Sequence, residues 1–264
     1  ASDVYKRQLV DHRTYALCGD GCLMEGISSE ALSLAGTLNL HKLTILYDSN
    51  HISIEGDTGI AFTENVEKRM EAFGFKTLLV KDGNDVSAIA EALQKAKEDD
   101  SAPYFITIKT EIGYGVPKKQ GTSSAHGEPL GEENIKEMRK FLQWEYEEPF
   151  YVPEEVYSHY TELVEEKKKA YSSWEKVRKQ YEEQYPELYQ KYLSYHDEKK
   201  ALDLLQNDRL WEKTEKAEAT RSSSGEVIQI VKDAVPNLFG GSADLAPSTK
   251  TEMKGEGFFS KENR

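Results

Sequence analysis

Gly19-Asp20-Gly21 stands thirty residues ahead of Asn50. A carboxylate, a side-chain amide oxygen and a nearby backbone carbonyl, that of Ile52, make a set of hard oxygen donors. Such a set suits Mg²⁺ or Ca²⁺ bridging two phosphates. The glycines let the backbone come close to a ligand. Downstream, Glu25, Ser28, Ser29 and Glu30 sit near the start of an amphipathic run. The first free N–H groups and the dipole of a helix there suit an anion such as a diphosphate. A second reactive position is His126, in the stretch KTEIGYGVPKKQGTSSAHGEPLG, whose five glycines and two prolines leave backbone free to shape a site. An imidazole can donate, accept or shuttle a proton near neutral pH. The residues alone leave a structural role open for it.

These groups need elements that bring them together. Thr14–Cys18 reads as a strand, Leu23 to about Leu38 as one helix, and Leu43–Tyr47 as a second strand. A right-handed βαβ unit makes the two strands parallel and delivers both carboxyl ends to the sheet edge where ligands usually bind. Further on, Thr63 or Glu64 caps a helix to about Ala72. Lys76–Val80 is a strand, Asn84 or Asp85 starts the helix Val86–Lys97, and Pro103–Lys109 is a buried strand. The expected fold class is α/β, a parallel sheet flanked by helices.

Composition narrows the function. The chain has 264 residues, 38% hydrophobic and 31% charged, with a formal charge of −13. That balance argues against nucleic acid as the main partner, because phosphate backbones need a positive surface. No apolar run reaches spanning length and no secretory pattern opens the chain, so the expectation is no membrane partner and a cytoplasmic location. Cys18 and Cys22 are read as reduced, and no zinc-ligand spacing is present. Ala1–Gln8 fit nothing that follows and are set apart as non-native.

From Glu154 to about Ala219 glycine vanishes and Lys, Glu and Tyr dominate in helical patterning, which Pro186 divides. No clean heptad persists, so a coiled coil is not expected. Then come Ala219-Thr220-Arg221-Ser222, a helix to about Ala234, and Gly240-Gly241-Ser242-Ala243-Asp244-Leu245-Ala246-Pro247-Ser248. Read plainly, these hold a surface Arg221, a turn Asp244 and an N-cap Ser248.

The run GDGCLMEGISSEALSLAG followed by LYDSNHISIEGDT resembles the thiamine-diphosphate motif of the transketolase family. KTEIGYG with GTSSAHGEPLG, and ATR with GGSADLAPS, resemble two further stretches of that family. The resemblance implies thiamine diphosphate and a divalent cation, Mg²⁺ or Ca²⁺, as cofactors. Asp20, Asn50 and the Ile52 carbonyl would hold the cation, and Gly21 would admit the diphosphate. Glu25 would join a carboxylate network across a homodimer interface, and Asp244 would lie near the cofactor across that interface. His126 would serve the diphosphate and the donor sugar. Arg221 and Ser248 would hold the phosphate of a sugar-phosphate substrate, as a planar cationic fork and a hydroxyl can.

The implied reaction moves a two-carbon ketol group from a ketose phosphate to an aldose phosphate, in the pentose phosphate pathway. The implied organisation is 9–145 as the C-terminal part of a diphosphate-binding domain, 146–218 as a helical connector, and 219–264 as the start of a pyrimidine-binding domain. On this reading the chain is an internal piece of a longer enzyme and is inactive alone. The alternatives are a dihydroxyacetone synthase-like relative, a natural half-enzyme subunit, and a non-catalytic interaction protein built on a decayed domain. Retained Asp20, Asn50 and His126 speak against decay. Ser49 departs from the family pattern, which often has an acidic or amide residue there.

Overall fold

A computed structural model describes residues 9–197, 203–212 and 217–263. The expectation for Ala1–Gln8 lies outside the described residues. By compactness the chain divides into two units, Asp11–Pro153 with 260–262, and Glu154–Phe259 with 9–10 and Asn263.

In the first unit, four parallel strands lie in the order β1-β2-β4-β3: β1 Thr14–Gly19, β2 Leu43–Ser49, β3 Lys76–Val80 and β4 Tyr104–Lys109. The register pairs Gly19 with Asp48 and Ser49 with Lys109, so the carboxyl ends of β1, β2 and β4 finish side by side. The interior strand β4 is buried from Tyr104 to Ile108. Side chains alternate across it, as strand geometry requires. Phe105 packs with Ile45, Tyr47, Met70, Leu23 and Leu32 on one face. Ile106 and Ile108 pack with Val80 and Ala96 on the other. Full burial of side chains such as Phe105, Ile106 and Met70 contributes roughly 2 kcal/mol each, so these two layers hold the strand ends in place.

The helices follow the expected order, with one difference near the site. The expected single helix Leu23–Leu38 is two: α1 Asp20–Met24 and α2 Gly26–Thr37. Between them Glu25 is extended, at φ −68° and ψ 134°. Ser28 Oγ donates to the Cys22 carbonyl that the break leaves free. Amphipathic spacing runs straight through this point, so periodicity does not reveal the break. In α3, Val66–Phe73, the cap is Asn65, whose side chain accepts from Lys68 N at 2.8 Å, in place of Thr63 or Glu64. In α4, Val86–Glu98, Asp85 accepts from Ala88 N at 2.9 Å. α5, Glu132–Phe141, follows the glycine-rich loop.

The second unit holds α6, Glu154–Gln184, and α7, Pro186–Ser194, with the proline in the first turn of α7, where its missing N–H is tolerated. It also holds the helix Thr220–Ala234 and the short turn of helix Ala246–Thr249. Among the described residues its buried apolar side chains are Tyr189 and Ile230, so it carries far less core than the sheet unit. No helix among the described residues is long and apolar enough to cross a membrane.

Candidate functional site

Asp20 opens α1 where β1 ends, and it is 2% exposed. A buried carboxylate needs donors, and β2 and the turn after it provide them. Tyr47 donates its hydroxyl to Oδ1 at 2.5 Å. The backbone N–H groups of Asn50 and His51 donate to Oδ2 at 3.2 and 3.0 Å. His51 is left-handed, at φ 61°. The Asn50 side-chain oxygen accepts from Ile52 N at 3.0 Å. Beyond it, Ile52 bridges to Asp57, and Thr58 N donates to the His51 carbonyl at 3.0 Å.

The glycine-rich loop after β4 closes the other side. Its shape is set by side chains tied back to backbone. Gln120 donates to Glu111 at 2.7 Å and accepts from Gly115 N at 2.9 Å. Lys119 Nζ donates to the carbonyls of Ser124 and Pro129, at 2.9 and 3.2 Å, one on each side of His126. A cleft of about 790 Å³ lies between loop and sheet edge, and Asp20, Gly21, Asn50, Ile52 and His126 all line it. The structure therefore brings together five positions that span residues 20 to 126 of the sequence.

The cleft is acidic. Asp20, Asp48, Glu55 and Glu111 line it, against His126 and, among the described residues, no lysine or arginine. Thr110 Oγ1 donates to Asp48. Burial, and then the hydrogen bond to Asp20, push the Tyr47 hydroxyl well above its ordinary pKa, so it stays a donor. Burial pushes the Cys18 thiol up to about 12, helped by nearby Cys22, Asp20 and Asp48. Cys18 is thus an inert strand thiol, while Cys22 is exposed and lines the cleft.

Cation and diphosphate were tested against these residues. No group of three or more His, Cys, Asp or Glu able to hold a metal exists among the described residues. The donor set here is of another kind: one carboxylate, one amide oxygen and one carbonyl on a shared cleft wall. That set fits an oxygen-seeking cation whose remaining positions are filled by phosphate oxygens and water. At Gly19 and Gly21 an added Cβ would meet nothing within 4 Å. Their bare backbone is not demanded by the chain's own packing, and it leaves an open approach beside Asp20.

Other expected positions lie elsewhere. Glu25 is exposed at the α1–α2 break and does not line the cleft. Arg221, Asp244 and Ser248 belong to the second unit. Arg221 is exposed in the first turn of its helix, Asp244 sits in a left-handed turn at φ 62°, and Ser248 is exposed in Ala246–Thr249. Sequence reasoning missed Tyr47, Asp48, Lys119 and Gln120. The available signal for Tyr47 was a phenolic hydroxyl closing the strand run LTILY. The loop ties had none, since they depend on a fold-back that spacing does not specify.

Comparison with known proteins bears on the whole arrangement. Residues 3–200 match the family described as "Transketolase, thiamine diphosphate binding domain". A transketolase of Geobacillus stearothermophilus is 48% identical over 261 residues, covering 96% of this chain and 38% of that protein. A transketolase of Bacillus subtilis is 44% identical over 262 residues, covering 98% of this chain and 39% of that protein. Among solved structures, a transketolase from Leishmania mexicana superposes with a TM-score of 0.80 at 35% identity, covering 94% of this chain and 37% of that one. A Pichia stipitis transketolase solved in complex with sedoheptulose-7-phosphate gives 0.79 at 37% identity, covering 96% of this chain and 37% of that one. The chain thus spans under two fifths of the length of the relatives it matches. With the cleft, the motif spacing and these matches in agreement, the chain belongs to the transketolase family, through its thiamine diphosphate binding domain.

Proposed function

We propose that the Asp20–Asn50–Ile52 edge holds a divalent cation, and through it the diphosphate of thiamine diphosphate, for two-carbon ketol transfer from a ketose phosphate to an aldose phosphate. The observation that carries this reading is the cleft itself: an acid-lined wall with no lysine or arginine among the described residues. A bare diphosphate is repelled from such a wall, and a cation between them reverses the sign. Thiamine diphosphate, when bound, supplies the electron sink on which the sugar carbon–carbon bond can break. The chain's own residues bind and orient. Asp20 gives a carboxylate oxygen, Asn50 its amide oxygen and Ile52 its carbonyl. Gly21 would admit the diphosphate, and His126, on the same cleft, would serve the diphosphate and the donor sugar, where an imidazole can hand on a proton.

Arg221 and Ser248 are assigned to the substrate phosphate, and Asp244 and Glu25 to the dimer side of the cofactor site. The sugar phosphate bound by the Pichia relative supports that class of substrate. The segments 9–145, 146–218 and 219–264 are kept as diphosphate-binding, connecting and pyrimidine-binding parts.

The test is a chimera. Residues 11–264 replace the equivalent stretch of the Geobacillus relative, and ketol transfer is assayed with Mg²⁺ and thiamine diphosphate. The chimera is expected to be active, and Asp20→Ala or His126→Ala in it to lose about a hundredfold or more. A folded, cofactor-bound chimera without transfer activity would refute the assignment. Formaldehyde preferred as acceptor would favour the dihydroxyacetone synthase-like alternative.

A further inference from the structure

The Asp20 carboxylate is also held from behind, by side chains outside the proposed ligand set. Tyr47 and Ser49 project from the same face of β2, because strand side chains alternate. They are 3% and 1% exposed. Tyr47 donates to Asp20 Oδ1 at 2.5 Å. Ser49 stands two residues beyond Tyr47 on that strand face. Lys109, paired with Ser49 across β2 and β4, donates its ammonium to Ser49 Oγ at 2.8 Å. Tyr47 thus donates to Asp20, and Lys109 fixes Ser49 beside it on the same strand face. The row runs along β2 from the ammonium to the carboxylate.

This row limits what Asp20 can offer. An ionised carboxylate has about four acceptor positions. Tyr47 uses one on Oδ1, and the Asn50 and His51 amides use those on Oδ2. One position on Oδ1 remains for a cation. We propose that Tyr47, Ser49 and Lys109 are positioning residues that fix Asp20 as a one-oxygen ligand and thereby set the preference of the site for Mg²⁺ over Ca²⁺. The inference rests on the reading of Asp20 as a cation ligand. Mg²⁺ requires near-ideal octahedral geometry at short range, so it depends on a fixed oxygen. Ca²⁺ accepts more ligands at looser angles and tolerates a carboxylate that swings. Ser49, the departure from the family pattern, ties Lys109 to this face of β2 without adding a further carboxylate to the acidic cleft.

The test titrates Mg²⁺, and separately Ca²⁺, into the full chain with excess thiamine diphosphate, for the wild type and for Tyr47→Phe, Ser49→Ala, Lys109→Gln and Asp20→Ala. Circular dichroism monitors folding. Tyr47→Phe is expected to lower Mg²⁺ affinity about tenfold and Ca²⁺ affinity less, moving the ratio toward Ca²⁺. Ser49→Ala and Lys109→Gln are expected to move it the same way by smaller amounts. Equal losses for both ions, or no loss, with Asp20→Ala still abolishing binding, would overturn the inference and leave the cation site standing. Wild-type binding retained by Asp20→Ala, or no binding by the folded wild type, would overturn the site reading and this inference with it. If Tyr47→Phe does not fold, an unchanged ratio in both other variants overturns the proposal.

Discussion

At the residue scale, Gly21 separates folding from binding. Nothing lies within 4 Å of a Cβ added there, and the position is inside α1. Gly21→Ala is therefore expected to leave the fold intact or to stabilise it by up to about 1 kcal/mol through helix propensity. The same methyl group stands where a diphosphate must approach, so cofactor affinity is expected to fall. Calorimetry and a urea melt on one sample check both signs, and unchanged affinity would remove Gly21 from the site. The cysteines give a second residue-scale outcome. With its thiol pushed up to about 12, half-buried Cys18 stays protonated at pH 8, while Cys22 is exposed at the cleft. Iodoacetamide at pH 8 is expected to label Cys22 in the native chain and Cys18 after unfolding, as mass spectrometry of the peptides can read. The linkage has a definite sign. An unfolded thiol ionises near about 8.5, whereas the folded one keeps its proton to about 12. Above the lower value the folded state holds the extra proton, so this contribution to stability is full below it and is lost as pH rises through the upper value. The pairing of Asp20 with Asn50 on one cleft was legible in the sequence from residue type and spacing, and that of His126 only through the family resemblance. The contacts of Tyr47 and Lys109 were not, because strand register brings Tyr47 to Asp20, 27 positions away, and Lys109 to Ser49, 60 away.

At the element scale, packing overrides propensity at Gly36. A Cβ there would lie 1.7 Å from the Phe73 carbonyl oxygen, at the end of α3. Alanine gains about 1 kcal/mol of helix propensity, but forcing two backbones apart costs typically 1–3 kcal/mol and here meets backbone that cannot yield by rotation. Gly36→Ala is expected to be destabilising by about 1–2 kcal/mol on balance, measured by the denaturation midpoint. A more stable variant would contradict the α2–α3 contact. Thr107, in the middle of β4, is fully buried, and its hydroxyl has no hydrogen-bond partner. Thr107→Val is expected to be neutral or stabilising by about 1 kcal/mol, since it removes an unsatisfied polar atom at nearly constant shape. The strands were legible almost to their ends, because β-branched and aromatic runs bounded by turn residues admit few other readings. The α1–α2 break at Glu25 was not, because it leaves the apolar spacing intact and depends on a bond from Ser28 to the Cys22 carbonyl.

At the scale of the whole molecule, the two units differ in how much they bury. All the buried apolar side chains among the described residues except Tyr189 and Ile230 lie in Asp11–Pro153. Hydrogen exchange is expected to be slowest in β2 and β4 and markedly faster through α6, α7 and the helix Thr220–Ala234, because local opening tracks buried apolar contact. Uniform protection across both units would contradict that ranking. The chain spans under two fifths of the length of its relatives, so ketol transfer is read in the chimera. The central claim is narrower: an acid-lined cleft that accepts a diphosphate only through a cation held by Asp20 and Asn50. The most direct measurement is isothermal titration of thiamine diphosphate into this chain, with Mg²⁺ and then with chelator, repeated for Asp20→Ala and Asn50→Ala. Binding that requires Mg²⁺ and is abolished by either substitution is the predicted result. Equal binding in chelator, or binding untouched by both substitutions in folded protein, would contradict it.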